Sequence, residues 1–482
     1  MVSCAPHRIA RVYRSAPLVR TAAAGCALLV LTLTGCDGGV RGTPGGTGVQ
    51  DPYFPRAGNG GYDVSHYGLT LDYDPDRRHL TGTAVITARA TKDLSAFDLD
   101  LSGLDVRGVT VAGKAAWFSR AGQELTVRPH DDLLKGETFS ATVRYSGRPQ
   151  VVVDPDGSRE GWLPTADGAL ALGEPVGSMA WFPGNHHPSD KAAYDIAVTV
   201  PEGLRAVSNG ELRSETTSGG RTTFRWRTAE PMATYLATVA IGRFEITRST
   251  TRSGLPVYVA VEPSQARASR AVLARIPEVV EWAERRFGPY PFSSTGAVVG
   301  RREDAGYALE TQNRPVFPGA PDIGTLVHEL AHQWYGDSVT PKSWRDMWLN
   351  EAFATYAQWL WEEDHGGRTA QQAFDALLRG DYFADGAGDE AVWAFPPARP
   401  SGAEHISDRP VYERGAMVLH RIRQAVGDRA FQDIVRGWAA AHRHGNADTA
   451  DFTAYVEKKA PGTDFAGIWA DWLYGDGRPA GP

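Results

Sequence analysis

From Tyr62 onward apolar and polar residues alternate. Tyr67, Leu69, Leu71 and Tyr73 recur at every second position, as do Phe139, Ala141, Val143 and Tyr145, and again Ile196, Val198 and Val200. That period lines one face of a strand. Asp74-Pro75-Asp76 and Asn209-Gly210 punctuate such runs as turns. Residues 62–250 are therefore expected to be all-β, a sandwich or a saddle-shaped sheet. Near Ser264 the period lengthens, and Ala271, Val272, Arg275, Ile276, Val279, Val280 and Ala283 repeat at helical spacing up to Gly288-Pro289. Beyond this helix the chain reads as mainly helical, to a Pro/Gly-rich end near Gly475. With 482 residues, more than one core is needed. The expected fold class is multidomain α+β, an N-terminal β domain over 62–250 followed by a mainly helical domain over 251–482.

The segment before Tyr62 changes this picture. Arg8, Arg11, Arg14 and Arg20 precede an apolar run from Ala22 to Leu33, which leads into Leu33-Thr34-Gly35-Cys36. Small residues before a cysteine, directly after a short apolar run, resemble a bacterial lipobox. The resemblance implies a signal peptide over 1–35, lipidation of Cys36 and a protein held on the outer face of the cell membrane. A membrane-spanning anchor is the alternative, but the run is short for a hydrocarbon core of roughly 30 Å. Residues 36–61, rich in Gly, Pro and Thr, read as a flexible tether. The three cysteines, Cys4, Cys26 and Cys36, all lie in or beside the leader. The processed chain would therefore hold neither an internal disulfide nor a cysteine-ligated metal. Removing the leader's four arginines takes the formal charge from −7 to −11, a balance that argues against nucleic acid.

The chemistry concentrates in His328-Glu329-Leu330-Ala331-His332. Two histidines four apart on a helix stand one above the other and can reach one ion. Ile323, Val327, Leu330 and Trp334 fall on the opposite face, so the helix can bury one side and turn its imidazoles into a cleft. A second helix is expected over 344–365, with Glu351 in its first turns. Two antiparallel helices with a short connection would bring that carboxylate to the ion. Two histidines and a glutamate leave a coordination position for water, as a catalytic zinc requires. One Zn2+ at His328, His332 and Glu351 would activate that water. Glu329 leaves the helix about 100° from His328 and is placed to take its proton. Asp346 is either a partner of a ligand histidine or a helix N-terminal carboxylate.

The segments His328–Asp337 and Trp348–Ala354, read as H-E-L-A-H-Q-W-Y-G-D and W-L-N-E-A-F-A, resemble the gluzincin aminopeptidases of the membrane-alanyl-aminopeptidase and leukotriene-hydrolase family. The likeness extends over most of residues 62–475 and implies a thermolysin-like catalytic domain. Tyr412, in Val411-Tyr412-Glu413-Arg414-Gly415-Ala416, resembles the family's Y-E-K-G-A segment and would hydrogen-bond the oxyanion of the tetrahedral intermediate. Tyr307-Ala308-Leu309-Glu310-Thr311 stands where the family has G-A-M-E-N, which implies that Glu310 pairs with the substrate's α-ammonium group. Glu174, nine residues before Pro183, stands where the family supplies a second such group from its β domain. Met179 occupies the place of the family's arginine, and Asn185-His186-His187-Pro188 replaces its C-x-D-x-P; the two histidines are expected at the surface. Phe465-Ala466-Gly467-Ile468-Trp469 resembles the end of the catalytic domain, a two-domain form with an open cleft.

The function expected is removal of N-terminal residues from extracytoplasmic peptides with a free amino terminus. A zinc endopeptidase or an epoxide hydrolase on the same fold is an alternative, and so is a silent surface binding protein. Neither the preferred N-terminal residue nor the oligomeric state is set by these motifs.

Overall fold

A computed structural model describes residues 42–384 and 388–479 of the chain. The expected signal peptide and the lipidation at Cys36 lie outside the described residues. The described residues all fall within one compact unit.

The alternating runs become strands of an eight-stranded mixed sheet. Its order is Glu211–Ser218, Arg221–Ala233, Lys191–Pro201, Tyr62–Asp74, His79–Ala90, Thr138–Gly147, Asp105–Val111 and Lys114–Ala115. Lys191–Pro201 and Tyr62–Asp74 pair in parallel, with Tyr194 opposite Tyr67, Ile196 opposite Leu69 and Val198 opposite Leu71. The phase read from the sequence is the buried one: Tyr67, Leu69, Leu71 and Tyr73 are all buried, as are Phe139, Ala141, Val143 and Tyr145. A five-stranded sheet, in the order Val151–Val153, Arg159–Pro164, Ala169–Leu172, Val239–Gly242 and Arg205–Ser208, carries the loop that leads to Glu174.

The second half opens with a four-stranded sheet made of Glu245–Thr250, Pro256–Val261, Thr295–Val299 and Val316–Phe317. The hairpin formed by its first two strands straddles residue 250, so this sheet begins before the expected boundary. Its helices, among the described residues, are α1 (Ala266–Leu273), α2 (Ile276–Phe287), α3 (Ile323–Ala331), α4 (Trp348–Asp364), α5 (Ala370–Arg379), α6 (Gly415–Val426), α7 (Asp428–Ala441) and α8 (Thr449–Lys459). The helix expected over 271–283 is split between α1 and α2. Pro277 stands in the first turn of α2, where its missing N–H is harmless but would break a helix arriving from upstream. No helix among the described residues is long and apolar enough to cross a membrane.

The expectation of a flexible tether over 36–61 is corrected for its described part. Asp51, only 4% exposed, accepts from the N–H groups of Tyr53 and Phe54 at 2.9 and 3.0 Å through Oδ1. Through Oδ2 it accepts from Ser343 Oγ at 2.8 Å and Trp344 N at 2.9 Å, with His187 Nε2 at 3.4 Å. Residues 42–61 are therefore a strap across the entrance to α4. Composition suggested mobility, yet one carboxylate collecting five donors outweighs the chain entropy of a short segment. Beneath the strap His186 and His187 are buried rather than at the surface, and His186 Nε2 lies 3.0 Å from the Phe182 carbonyl.

Two buried cations join the halves. Arg314 lies 4.8 Å from the ring centroids of both Trp226 and Tyr258 and donates to the carbonyls of Ser208 and Gly210. Lys191 donates at 2.9 Å to the carbonyls of Asp337 and Ser338, in the turn that follows α3. Asp346 accepts from the N–H and Oγ1 of Thr449 at 3.0 and 2.6 Å. It is a helix N-terminal carboxylate, but for α8.

Burial alone would push the Asp51 carboxyl up, but donors from His187, Phe54, Tyr53 and Ser343 outweigh it and hold it well below the ordinary value. A depressed folded-state pKa stabilises above the unfolded value of about 4 and is lost as pH falls below it. Asp51→Ala should therefore lower stability at pH 7 by about 3 kcal/mol, because buried donors lose their acceptor. Urea melts at pH 7 and pH 3 test this: the gap between variant and parent should shrink at the lower pH, and an equal gap would contradict it.

Candidate metal centre

Asp322 caps α3, accepting from Thr325 N at 2.7 Å. This fixes the start of the helix that buries Leu326, Val327 and Leu330 and sets the two imidazoles on its other side. On α4 the residues around Glu351 are buried almost without interruption, among them Ala352, Ala354 and Ala357. Short side chains let neighbouring helices approach, and Glu351 is the polar group delivered to the contact.

Both candidate ligand histidines have their orientation set. His328 Nδ1 donates to Gln358 Oε1 at 3.2 Å, and His332 Nδ1 donates to the Tyr335 carbonyl at 3.0 Å. Each ring therefore turns a bare Nε2 to the same place. There Glu351 Oε2 lies 3.1 Å from His328 Nε2 and 3.4 Å from His332 Nε2. Tetrahedral zinc with bonds of about 2.0–2.1 Å separates its ligand atoms by about 3.3 Å. The donor set thus fits zinc in kind, number and spacing. His332 also belongs to a second group, with Glu310 and Glu329, whose donor atoms lie within 4.8 Å of one another. Because His332 is common to both, the two groups describe one centre and its surroundings.

Glu329, Glu310, Glu174 and Tyr412 line the same cavity of about 350 Å3. Burial pushes the Glu329 carboxyl well above its ordinary value; His332 pulls it back, while the charges of Glu310 and Glu351 push it further. Burial likewise raises Glu310 and Glu174, the latter also through the Glu310 and Glu351 charges. Glu310 Oε1 and Glu174 Oε1 are buried atoms without a hydrogen-bond donor. Gln333, one residue past His332, fixes the Glu310 loop: its Nε2 donates to the Glu310 carbonyl at 3.0 Å, and its Oε1 accepts from Asn313 N at 2.8 Å.

Tyr412 lies in a π-helical turn over Pro410–Arg414, a local widening common at functional sites. Its ring stacks over His328 at 6.1 Å between centroids, 12° from parallel. Gly415 makes this approach possible, since a Cβ there would stand 2.6 Å from the Cβ of Ala352. Arg414 clamps the turn from behind, donating to the carbonyls of Trp472 and Asp471 at 3.0 Å each.

The seven residues named from the sequence for the metal, for catalysis and for the ammonium group thus line one cavity, whereas Asp346 is turned to Thr449. Gln358 was missed, although it follows Glu351 by seven residues, two helical turns along the same face. The backbone carbonyl of Tyr335 carries no signal in a sequence.

Residues 322–472 match the peptidase family M1 domain, and residues 63–236 match the peptidase M1 N-terminal domain. A probable aminopeptidase 2 of Sulfurisphaera tokodaii is 26% identical over 440 residues, covering 86% of this chain and 54% of that protein. A leucyl aminopeptidase of Saccharolobus solfataricus is 25% identical over 447 residues, with shares of 86% and 54%. The chain thus spans about half the length of these curated relatives. Among solved structures, an M1 zinc metallopeptidase from Deinococcus radiodurans superposes with a TM-score of 0.82 at 30% identity, covering 90% of this chain and 98% of that one. A mutant of the Deinococcus radiodurans M1 zinc metallopeptidase, bound to a Tyr-Ser-Ala substrate, gives a TM-score of 0.81 at 29% identity, with shares of 90% and 99%.

Equilibrium dialysis with metal analysis should give one zinc per chain. Glu351→Ala should abolish retention, and Gln358→Ala should weaken affinity about tenfold by freeing the His328 ring. Full retention in Glu351→Ala would remove that carboxylate from the centre.

Proposed function

The chain belongs to peptidase family M1, and from that premise we propose that it is a zinc aminopeptidase removing the first residue from peptides with a free amino terminus. The observation that carries this reading is the pair of carboxyl oxygens without donors, Glu310 Oε1 and Glu174 Oε1, in the cavity that also holds His328, His332 and Glu351. A substrate ammonium supplies the missing donors and the missing charge at once. It thereby fixes the chain end at one distance from the reacting centre, which restricts cleavage to the first peptide bond.

His328, His332 and Glu351 would hold one zinc, which supplies Lewis acidity toward the scissile carbonyl and lowers the pKa of water toward about 7. Glu329 takes a proton from the attacking water and delivers it to the amine nitrogen as the C–N bond breaks. Burial and the charges of Glu310 and Glu351 raise its carboxyl, which favours holding the proton between the two transfers. The Tyr412 hydroxyl donates to the oxyanion developing on the scissile carbonyl, a contact stronger in the transition state than in the ground state. Tyr307, Ala308 and Ile406 form part of the wall around these groups. The basic leader, its apolar run and Cys36 support extracytoplasmic peptides as the substrates and a lipid-anchored location on the outer face of the cell membrane.

A peptide and its N-acetylated twin separate this reading from an endopeptidase. Free-amine peptide should be cleaved at least about a hundredfold faster, and equal cleavage of both would defeat the ammonium-anchoring roles. Glu329→Gln should retain zinc while turnover falls by about 10³-fold or more. Tyr412→Phe should lower kcat with little change in KM, and a change confined to KM would make Tyr412 a binding residue only.

A further inference from the structure

One wall of the cavity has no part in the mechanism above. It is the turn between the strands Val151–Val153 and Arg159–Pro164, which contributes Asp154 and Asp156 to the lining. Asp154 is only 7% exposed, and its Oδ1 accepts from no N–H or alcohol O–H. Its Oδ2 receives only the Ser158 hydroxyl, at 3.4 Å. Behind it Glu160 is fully buried; its Oε1 accepts from Val176 N at 3.1 Å, and its Oε2 is again without a donor. Burial pushes both carboxyls up, Asp154 to about 6 despite a hydrogen bond from Glu160, and Glu160 further through the Asp154 charge and that same hydrogen bond, so Glu160 is the one that holds the proton. Tyr307 lines the same cavity: the charges of Glu160, Glu174, Asp154 and Glu310 all reach its buried phenol, and its hydroxyl has no partner.

No lysine or arginine lines the cavity, and among the described residues none of these acids forms an ion pair with one. Six carboxyl groups, on Asp154, Asp156, Glu174, Glu310, Glu329 and Glu351, face the space. A divalent ion and a substrate ammonium together bring three positive charges, all of them consumed around the metal centre and Glu310. A proton held by Glu160 and shared with Asp154 leaves this pair one negative charge, carried on Asp154 at the cavity wall without a cation beside it, and a charge brought by the ligand would neutralise it. A second metal ion is not the answer, because among the described residues no third donor atom converges with this pair. An extended stem bearing a cation fits better, since its methylenes can run along Tyr307 while its head meets the acids.

We infer that Asp154, backed by Glu160 and assisted by Asp156, selects substrates whose first residue carries a cationic side chain, arginine or lysine. This rests on the aminopeptidase reading and deepens it. The substrate's ammonium occupies Glu310 and Glu174, and its side chain turns along Tyr307 toward the acidic turn. A guanidinium presents paired donors to a carboxylate, so arginine is favoured over lysine.

The test compares arginyl and citrullinyl chromogenic anilides, which differ in charge but hardly in shape. The wild-type protein should show kcat/KM for the arginyl substrate at least about tenfold higher. Asp154→Asn should reduce that ratio about tenfold, and Asp156→Asn, at a more solvated position, about two- to threefold. Calorimetry with argininamide and citrullinamide on the zinc-loaded protein should give the same order of affinities. A wild-type ratio near one, or a ratio that survives both substitutions, would overturn the inference and leave the aminopeptidase standing. Failure to cleave any anilide would remove the aminopeptidase reading, and the calorimetric ratio in parent and variants would still decide the selectivity of the acidic turn.

Discussion

A carboxylate on one helix must touch two imidazoles on another, and the catalytic half is arranged to make that possible. Glu351 reaches both Nε2 atoms because α3 and α4 run close together, with alanines rather than bulky side chains around the contact. Gln358 and the Tyr335 carbonyl then remove the remaining freedom of the rings. The next ring of contacts holds the helices themselves. Lys191 ties the turn after α3 to the β domain, and Asp346 ties the entrance of α4 to α8. The β domain is thus a jig for the metal site as well as one wall of the cleft.

The second theme is electrostatic. Apart from the two imidazoles, the titratable side chains facing the cavity are carboxyls and phenols, several with oxygens that no protein donor satisfies. In a folded interior such groups are paired or expensive. Here the interior leaves the pairing to what binds, so the cost of assembling the acids becomes affinity for cationic ligands. Under the proposed function Glu310 and Glu174 would follow that logic at a substrate ammonium, and Asp154 beside Glu160 would follow it farther along the wall. The fold supplies the stability margin that lets these pockets stay poorly satisfied, through Arg314 and through the broad apolar faces of the eight-stranded sheet.

Much of this was legible in the chain. Period-two runs such as Tyr67 to Tyr73 and Phe139 to Tyr145 gave both the strands and their buried face, because an exposed side and a packed side leave a binary trace. His328, Glu329 and His332 were legible for the analogous helical reason, and Glu351 through its place on a second helix. What stayed hidden depends on long-range pairing. Asp51 looked like one polar residue in a Gly/Pro-rich stretch, and only its partners 292 and 293 residues away make it a structural centre. His186 and His187 looked like surface residues for the same reason, since the strap that covers them was invisible. Pro277 could have warned that the helix near Ala271 would break. Asp154 sits in a Pro-Asp-Gly turn that composition assigns to solvent, whereas the cavity wall claims its side chain.

The strap has a practical side. Anyone shortening this protein by eye would start it at Tyr62, where regular structure begins in earnest. That cut discards Asp51 and leaves the hydroxyl of Ser343 and the N–H of Trp344 without their acceptor, eight and seven residues ahead of Glu351. The damage would reach the proposed metal ligand through the first turn of its own helix. A trimmed recombinant product could then be soluble, folded in its sheets and yet poor at keeping its ion. The safer starting point is upstream of Gly42, with any purification handle placed at the opposite terminus.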